Sequence, residues 1–451
     1  MGNADTGRGA KSRKQAESAE SWTNWAGTYS VTPLQVAHPR SPQEVAELVR
    51  QATERDVSLK AIGSGHSFTD IGLTRGVLLY LDKLTGIITA DRSSGLVTVA
   101  AGTTLRSLNS ALWHMGLAMT NLGDIDCQTI SGAISTGTHG TGVSFGGMAT
   151  QVRGLQLVTA VGEILNCSAD EHPDVFAVAR VGLGAVGIIT GVTLQCEPAF
   201  ALRAVEAPGV LDALYEDLDT IVTSADHFEF YWFPHTRRVL TKTNTRLPGD
   251  TELKPVGRVR GWLDDDFLSN SVFEGVNRLT TLRPKLTPRA NKIAARALSA
   301  REFTDRSYRV FASPRRVRFR EMEYALPRHA LPYVLDEIDA WVSRSGEQIS
   351  FPIEVRFAAA DDIPLSTAYG RDTCYVAVHQ YHRRPYDKYF LAVERIACEV
   401  GGRPHWGKLH FRTGDQLAEL YPKFNDFADV RNRIDPDRRF GNDYLRRVLG
   451  T

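Results

Sequence analysis

The sequence predicts an α+β chain, and three observations carry that prediction. From about Val31 to Pro198 short apolar runs alternate with helical patterns. Three glycine-rich connections interrupt that stretch, at 63–67, 129–142 and 182–187. After about Phe200 the pattern changes to period-two strands interleaved with amphipathic helices, the order expected of an antiparallel sheet with helices on one face. With 451 residues the chain has room for two or three domains. The expected divisions are a disordered leader over 1–21, a first domain over 22–200, a second over 201–402 and a C-terminal segment over 403–451.

Each element has a local reason. Ser41 can cap a helix, Pro42 suits its first turn and Glu44 completes a capping box. Val45, Leu48, Val49 and Ala52 follow at helical spacing as a buried face. Leu59 to Ile62, Val77 to Leu81 and Leu96 to Ala100 read as strands. Thr103 or Thr104 starts a helix through Leu105, Leu108 and Leu112, which Gly116 ends. His227 to Phe233 alternates Phe228, Phe230 and Trp232 with polar residues, and Val239 to Thr245 can pair with it as a hairpin. Leu331 to Val342 and Tyr386 to Val400 are helices, the second closed by Gly401-Gly402, while Phe351 to Phe357 and Cys374 to Gln380 are strands.

Composition excludes several classes. Fifty-three Lys and Arg against 52 Asp and Glu leave a net charge of +1, so a polybasic nucleic-acid binder is not expected. No run approaches the roughly 18 apolar residues that span a bilayer, and the polar N-terminus has no apolar signal-peptide core. Five scattered cysteines without a CxxC pair argue against a disulfide framework or a thiolate zinc site, and a cytoplasmic protein is the expectation. The stretch from Arg283 to Arg320 holds twelve basic residues and two acidic ones. It reads first as a solvated face and second as a surface for an anionic partner or a membrane.

Chemistry concentrates at a few places. Gly63-Ser64-Gly65-His66-Ser67 follows a strand, where glycines let backbone N–H groups approach a phosphate. It is neither GxGxxG opening a helix nor a P-loop, and alone it reads first as a tight turn with a solvated histidine. The run TISGAISTGTHGTG over 129–142 can wrap a flat polar cofactor through its glycines and hydroxyls. A third loop, Gly182 to Ile189, precedes an apolar strand through Val192 and Leu194. Within FPIEVRF, period two places Glu354 and Arg356 on one face, where they can orient a polyol or form a surface ion pair. His405 and His410 are five apart, which does not match HExxH, so no metal site is expected there.

These loops, together with the C-terminal HWGKLH, resemble the vanillyl-alcohol oxidase superfamily of flavoproteins, and within it the sugar-1,4-lactone oxidoreductases, with alditol oxidases as close relatives. The likeness runs from about Trp22 to Gly450. It implies a two-part FAD-binding domain plus a cap domain that holds the substrate. It also implies that Ile62, Gly63, Ser64, Gly65, His66 and Ser67 hold FAD, with Ser131, Gly132, Thr136, Gly137, His139, Gly140, Gly187, Ile188 and Asn442. Asp443 stands beside Asn442 where the chain returns to the cofactor domain. His66 is the expected covalent attachment to the flavin 8α-methyl, since a neutral imidazole is the nucleophile that bond needs. Cys127, in CQTISGA, stands where doubly attached relatives carry a cysteine bonded to flavin C6, so a second link and an inert thiol both stand open. His139 reads as a structural hydrogen-bonding residue.

The same resemblance implies an oxidation of the hydroxyl beside a lactone carbonyl, with hydride passing to flavin N5. Glu354 would hydrogen-bond that hydroxyl and accept its proton, Arg356 would stabilise alkoxide charge and Lys408 would stand near flavin N1 and C2=O. The implied partners are a small sugar lactone or polyol and an electron acceptor, either O2 or another, with no nucleic acid and no integral membrane segment.

Overall fold

The computed structural model describes residues 21–257, 272–312 and 317–450. Residues 1–20 of the expected leader and 313–316 of the basic stretch lie outside the described residues.

The first helix, Pro42–Glu54, is capped by Ser41 Oγ, which accepts from Glu44 N–H at 3.1 Å. Glu44 does not close the expected capping box. Its carboxylate accepts instead from Arg40 N–H, one residue before the cap, because the side chain is long enough to pass Ser41. Val45, Ala46, Val49 and Ala52 form its buried face. Helix Leu105–His114 is capped by Thr104 and followed by Gly116 at φ +76°, a left-handed turn that favours glycine.

These helices pack against two sheets. A parallel three-stranded sheet has Val77–Tyr80 between Gln35–Ala37 and Leu59–Ile62. A five-stranded antiparallel sheet runs in the order Ile164–Ser168, Val152–Val158, Ile188–Gln195, Leu96–Ala100, Ile87–Asp91. Their shared core contains Val49, Leu79, Val99, Leu108, Leu157 and Val192, and the C-terminal segment adds Trp406, Phe427 and Tyr444 to it. The stretch 129–142 is not loop throughout. Ile130–Ser135 is a short helix, since Thr129 supplies an N-cap to Gly132 N–H and Ile130, Ala133 and Ile134 find apolar neighbours.

An eight-stranded antiparallel sheet forms the other half. Its order is Arg301–Arg306, Phe200–Val210, Arg238–Pro248, His227–Trp232, Ile353–Ala358, Thr373–Tyr381, Phe319–Pro327, Arg403–Pro404. The register pairs Phe230 with Val355, Val355 with Val376 and Met322 with Val378, so one face is apolar. That face carries helices Leu331–Ser345 and Asp387–Glu399 through Leu335, Ile338, Phe390 and Val393. The opposite face aligns Tyr231 with Glu354, Glu354 with Ala377 and Ala377 with Glu323. Its charged side chains point toward the glycine loops. Among the described residues no helix is long and apolar enough to cross a membrane.

Candidate active site

The glycine loop leaves the end of strand Leu59–Ile62 and needs its glycines for close packing. A Cβ at Gly63 would collide with Thr129 Oγ1, and one at Gly65, whose φ is +69°, would stand 3.1 Å from the Trp22 ring. Ser64 Oγ donates to the Cys127 carbonyl, which ties this loop to the segment before the short helix. Gly187, at φ +133°, brings the third loop alongside. Ile62, Gly63, Ser64, Gly65, His66, Ser67, Ser131, Gly132, Thr136, Gly187 and Ile188 together line a cavity of about 930 Å³. Lys60 also lines it, with Nζ donating to the carbonyls of Gly184 (3.0 Å) and Phe440 (3.1 Å). Burial pushes this amine down to about 7.

A second cavity of about 750 Å³ adjoins the first, and His66, Ser67, Gln128 and Thr136 line both. The donor set and the shape suit FAD: a glycine-lined end for a diphosphate and a charged chamber for a ring and its substrate. Gln128 adds a specific sign of fit. Its Oε1 is buried with no hydrogen-bond partner, an acceptor that a bound group can satisfy.

His66 stands at the junction. The Trp25 ring stacks on its imidazole at 5.2 Å, and Nε2 lies 3.1 Å from Cys127 Sγ. Burial, with the Lys408 charge, lowers its pKa and favours the neutral ring, while burial raises the Cys127 thiol. The imidazole is thus in the form a nucleophile requires, and the neighbouring sulfur is a thiol.

The chamber wall opposite is the charged face of the large sheet. Arg356 lines it, with Nε donating to Glu229 at 3.1 Å, Nη2 in contact with Glu354, and Asp124 at 3.5 Å. Glu354 sits behind Arg356 and also accepts from Tyr231 Oη at 3.0 Å. Glu354 and Arg356 are 5 % and 8 % exposed, so they form a buried pair and not the surface pair that spacing alone allows. The sheet turns this face inward. Burial would lower Arg356, but the three carboxylates outweigh it and hold the guanidinium well above its ordinary value. Lys408 Nζ contacts Glu321 at 2.6 Å, and Glu321 with Glu323 raises the lysine against burial.

Backbone bonds place Lys408. His405 N–H donates to Glu323 O and Leu409 N–H to Glu321 O, so the HWGKLH segment runs along the sheet edge. Phe68 N–H donates to Gly407 O at 2.7 Å, which fastens the same segment to the glycine loop. Those three bonds bring Lys408, His66 and Arg356 to one chamber.

Other expected residues sit elsewhere. Asn442 caps helix Asp443–Leu449, and its Nδ2 donates to the carbonyls of Asp70, Ile71 and Leu73, so it holds the glycine-loop exit and lines neither cavity. Asp443 opens that helix and contacts Arg446. Gly137 and Gly140 line neither cavity. Gly140 is needed because a Cβ would stand 2.3 Å from Leu122 O. His139 lines the second cavity, bonded through Nε2 to Glu323 at 2.9 Å and through Nδ1 to Gly140 O at 2.9 Å, with its ring stacked on Tyr375.

Glu229, Glu321, Glu323 and His379 belong to the same cluster and sequence reading missed them, while His405, weighed there only as a metal ligand, joins them. The alternation of FREMEYAL, with Glu321 and Glu323 opposite Met322 and Tyr324, is the signal that could have found two of them. His410 bonds Tyr444 Oη and shares no site with His405. Among the described residues, His139, Glu323 and His405 are the one group whose ligand atoms lie within 4.8 Å of one another, and the His139–Glu323 pair already occupies two of them.

Comparison with known proteins agrees with this geometry. The D-arabinono-1,4-lactone oxidase family matches residues 192–448, and an FAD binding domain matches residues 33–168. An L-gulono-1,4-lactone dehydrogenase of Mycobacterium tuberculosis is 44% identical over 95% of this chain and 99% of its own. The L-gulonolactone oxidase of Mus musculus is 35% identical over 94% and 97%. Among solved structures, the cholesterol oxidase of B. sterolicum superposes with a TM-score of 0.79 at 17% identity, covering 95% of this chain and 96% of that one. That last likeness is one of fold: an FAD-binding domain with a cap domain.

Proposed function

We propose that this chain, which belongs to the FAD-dependent family of sugar-1,4-lactone oxidases and dehydrogenases, oxidises the hydroxyl beside the carbonyl of an L-gulono-1,4-lactone-like substrate. The observation that carries the reading is the buried Arg356, flanked by Glu354 and Glu229, on one wall of a chamber that also holds His66 and Lys408. Bound FAD supplies the hydride acceptor. Arg356 orients the hydroxyl and stabilises negative charge on its oxygen. Glu354 lines neither cavity but contacts the same guanidinium at Nη2, and it takes the proton there. Lys408, fixed by Glu321, holds a positive charge in the same chamber, where it would favour a negatively charged reduced cofactor. His66, held neutral, would be the residue that holds the cofactor covalently. The product is a 2-keto lactone, which enolises to an ascorbate-type ene-diol. Five cysteines, all free, fit a reducing compartment.

An anaerobic visible spectrum of the purified protein, recorded before and after L-gulono-1,4-lactone, tests this reading. Bleaching of the flavin band is expected. A band that persists with lactone and bleaches with a linear polyol moves the substrate to alditols and overturns the lactone assignment.

A further inference from the structure

A helical hairpin on the large domain wears its side chains inside out. Helices Phe273–Leu282 and Thr287–Ala297, joined by the turn Pro284–Leu286, bury Asn277, Thr280, Thr287 and Asn291, each at most 5 % exposed. Asn277 accepts from Ser350 Oγ, and Asn291 donates to the carbonyls of Pro234 and Ile349, so the polar residues serve as inward anchors. The aliphatic residues face out: Leu279 is 52 % exposed, Ile293 68 % and Leu282 82 %. Around them stand Arg278, Arg283, Lys285, Arg289, Lys292 and Arg296, all exposed, and among the described residues of the hairpin Glu274 is the one carboxylate, bonded to Arg278 and Tyr381.

We propose that this hairpin seats the enzyme on a membrane surface rich in anionic phospholipid. Exposed aliphatic side chains ringed by cations match an interface where acyl chains lie just beneath negative headgroups. A nucleic acid or an acidic protein segment would use the cations and leave Leu279, Leu282 and Ile293 in water. The helices are too short to span a bilayer, so the contact is peripheral. The hairpin also abuts the catalytic half of the molecule. Phe273 packs on Phe351 at 4.7 Å, and Phe351 packs on Phe319 (5.7 Å) and His379 (6.1 Å), both on the chamber wall. Docking would place the substrate chamber close to the membrane. The proposal stands on the hairpin alone and does not depend on which lactone is oxidised.

The test is flotation of the full-length holoenzyme with vesicles of phosphatidylcholine alone and of equimolar phosphatidylcholine and phosphatidylglycerol. Binding to the anionic vesicles only is expected, and it weakens as salt shortens the screening length from about 10 Å at 0.1 M to about 3 Å at 1 M. The Leu282→Glu/Ile293→Glu double variant and the Arg283→Glu/Lys285→Glu/Arg289→Glu triple variant change only exposed positions. Each is expected to melt and turn over lactone like the parent while losing at least about tenfold in vesicle affinity. Absence of binding, or equal binding to both vesicle types, overturns the proposal. So does a double variant that binds unchanged while the triple variant fails, which marks a simple polyanion surface. A parent dimer in solution that the double variant dissolves gives this face to a second copy of the chain instead.

Discussion

His66 Nε2 stands 3.1 Å from Cys127 Sγ, with His66 lining both cavities and Cys127 lining neither. Attachment through His66 predicts that yellow colour stays with the acid-precipitated wild-type chain and leaves with the supernatant in His66→Ala. Cys127→Ser is expected to keep its flavin in full. Colour that remains on His66→Ala and disappears only when Cys127 is also replaced would establish the thioether link. Thiol titration of the denatured holoprotein gives an independent count of that sulfur.

The pair Glu354 and Arg356 separates catalysis from stability. Glu354→Gln keeps the shape and a hydrogen bond to Arg356 but removes the proton acceptor, so kcat is expected to fall by about 10²–10⁴-fold with KM little changed. Arg356→Ala has a different cost, because it removes the guanidinium that Glu229 and Glu354 share and leaves them Lys242 and Tyr231 in a buried site. A loss of about 3–5 kcal/mol in urea unfolding is expected. Wild-type kcat in Glu354→Gln would transfer the proton to another acceptor, with Asp124, which lines the chamber 3.5 Å from Arg356 Nη2, the next carboxylate.

His139 and Glu323 form a buried pair at 2.9 Å. Burial would raise the Glu323 carboxyl, yet His139 outweighs it and holds the group well below its ordinary 4.5. A carboxyl lowered by folding stabilises the native state above its ordinary value, and that contribution drains away as the pH falls toward the lowered one. Glu323→Gln is therefore expected to melt well below wild type at pH 7, by an amount of about 3–5 kcal/mol, with the gap narrowing below about pH 4.5. A gap constant from pH 7 to pH 3 would sink this reading.

Lys60 gives a slope of the same sign in a higher pH window. Its ordinary value is 10.5 and burial brings it to about 7. Between those values the unfolded chain holds a proton that the folded protein has released, so stability rises with pH across that window and is flat below it. Lys60→Met loses two hydrogen bonds at every pH but removes the slope. Melting temperatures are expected to diverge in favour of wild type from pH 7 toward pH 10. Parallel curves would mean that the folded amine stays charged throughout.

Much of this protein is local and therefore legible in its residues. Ser41 and Thr104 cap the helices they precede because a hydroxyl reaching the third amide needs no tertiary partner. The strands Leu59–Ile62 and Leu96–Ala100 end where their apolar runs end. The glycine loop announces a cavity, and the same-face placement of Glu354 and Arg356 follows from period two.

What the residues alone could not decide is which face of a strand turns inward and what meets it there. Period two places Glu354 and Arg356 together but equally allows a solvated pair. Only the large sheet, with its apolar face spent on two helices, presses the charged face against the glycine loops. Glu229, Glu321, Glu323 and His405 come from three separate segments, and strand register and the backbone bonds of the HWGKLH segment bring them together. Asn442 illustrates the same limit in reverse: its place near the cofactor domain was readable, but its amide is consumed by three carbonyls that only the folded chain supplies. Local propensity and periodicity act over a few residues, whereas the chamber is made by contacts between residues from about sixty to several hundred positions apart, and those are chosen by packing of the whole chain.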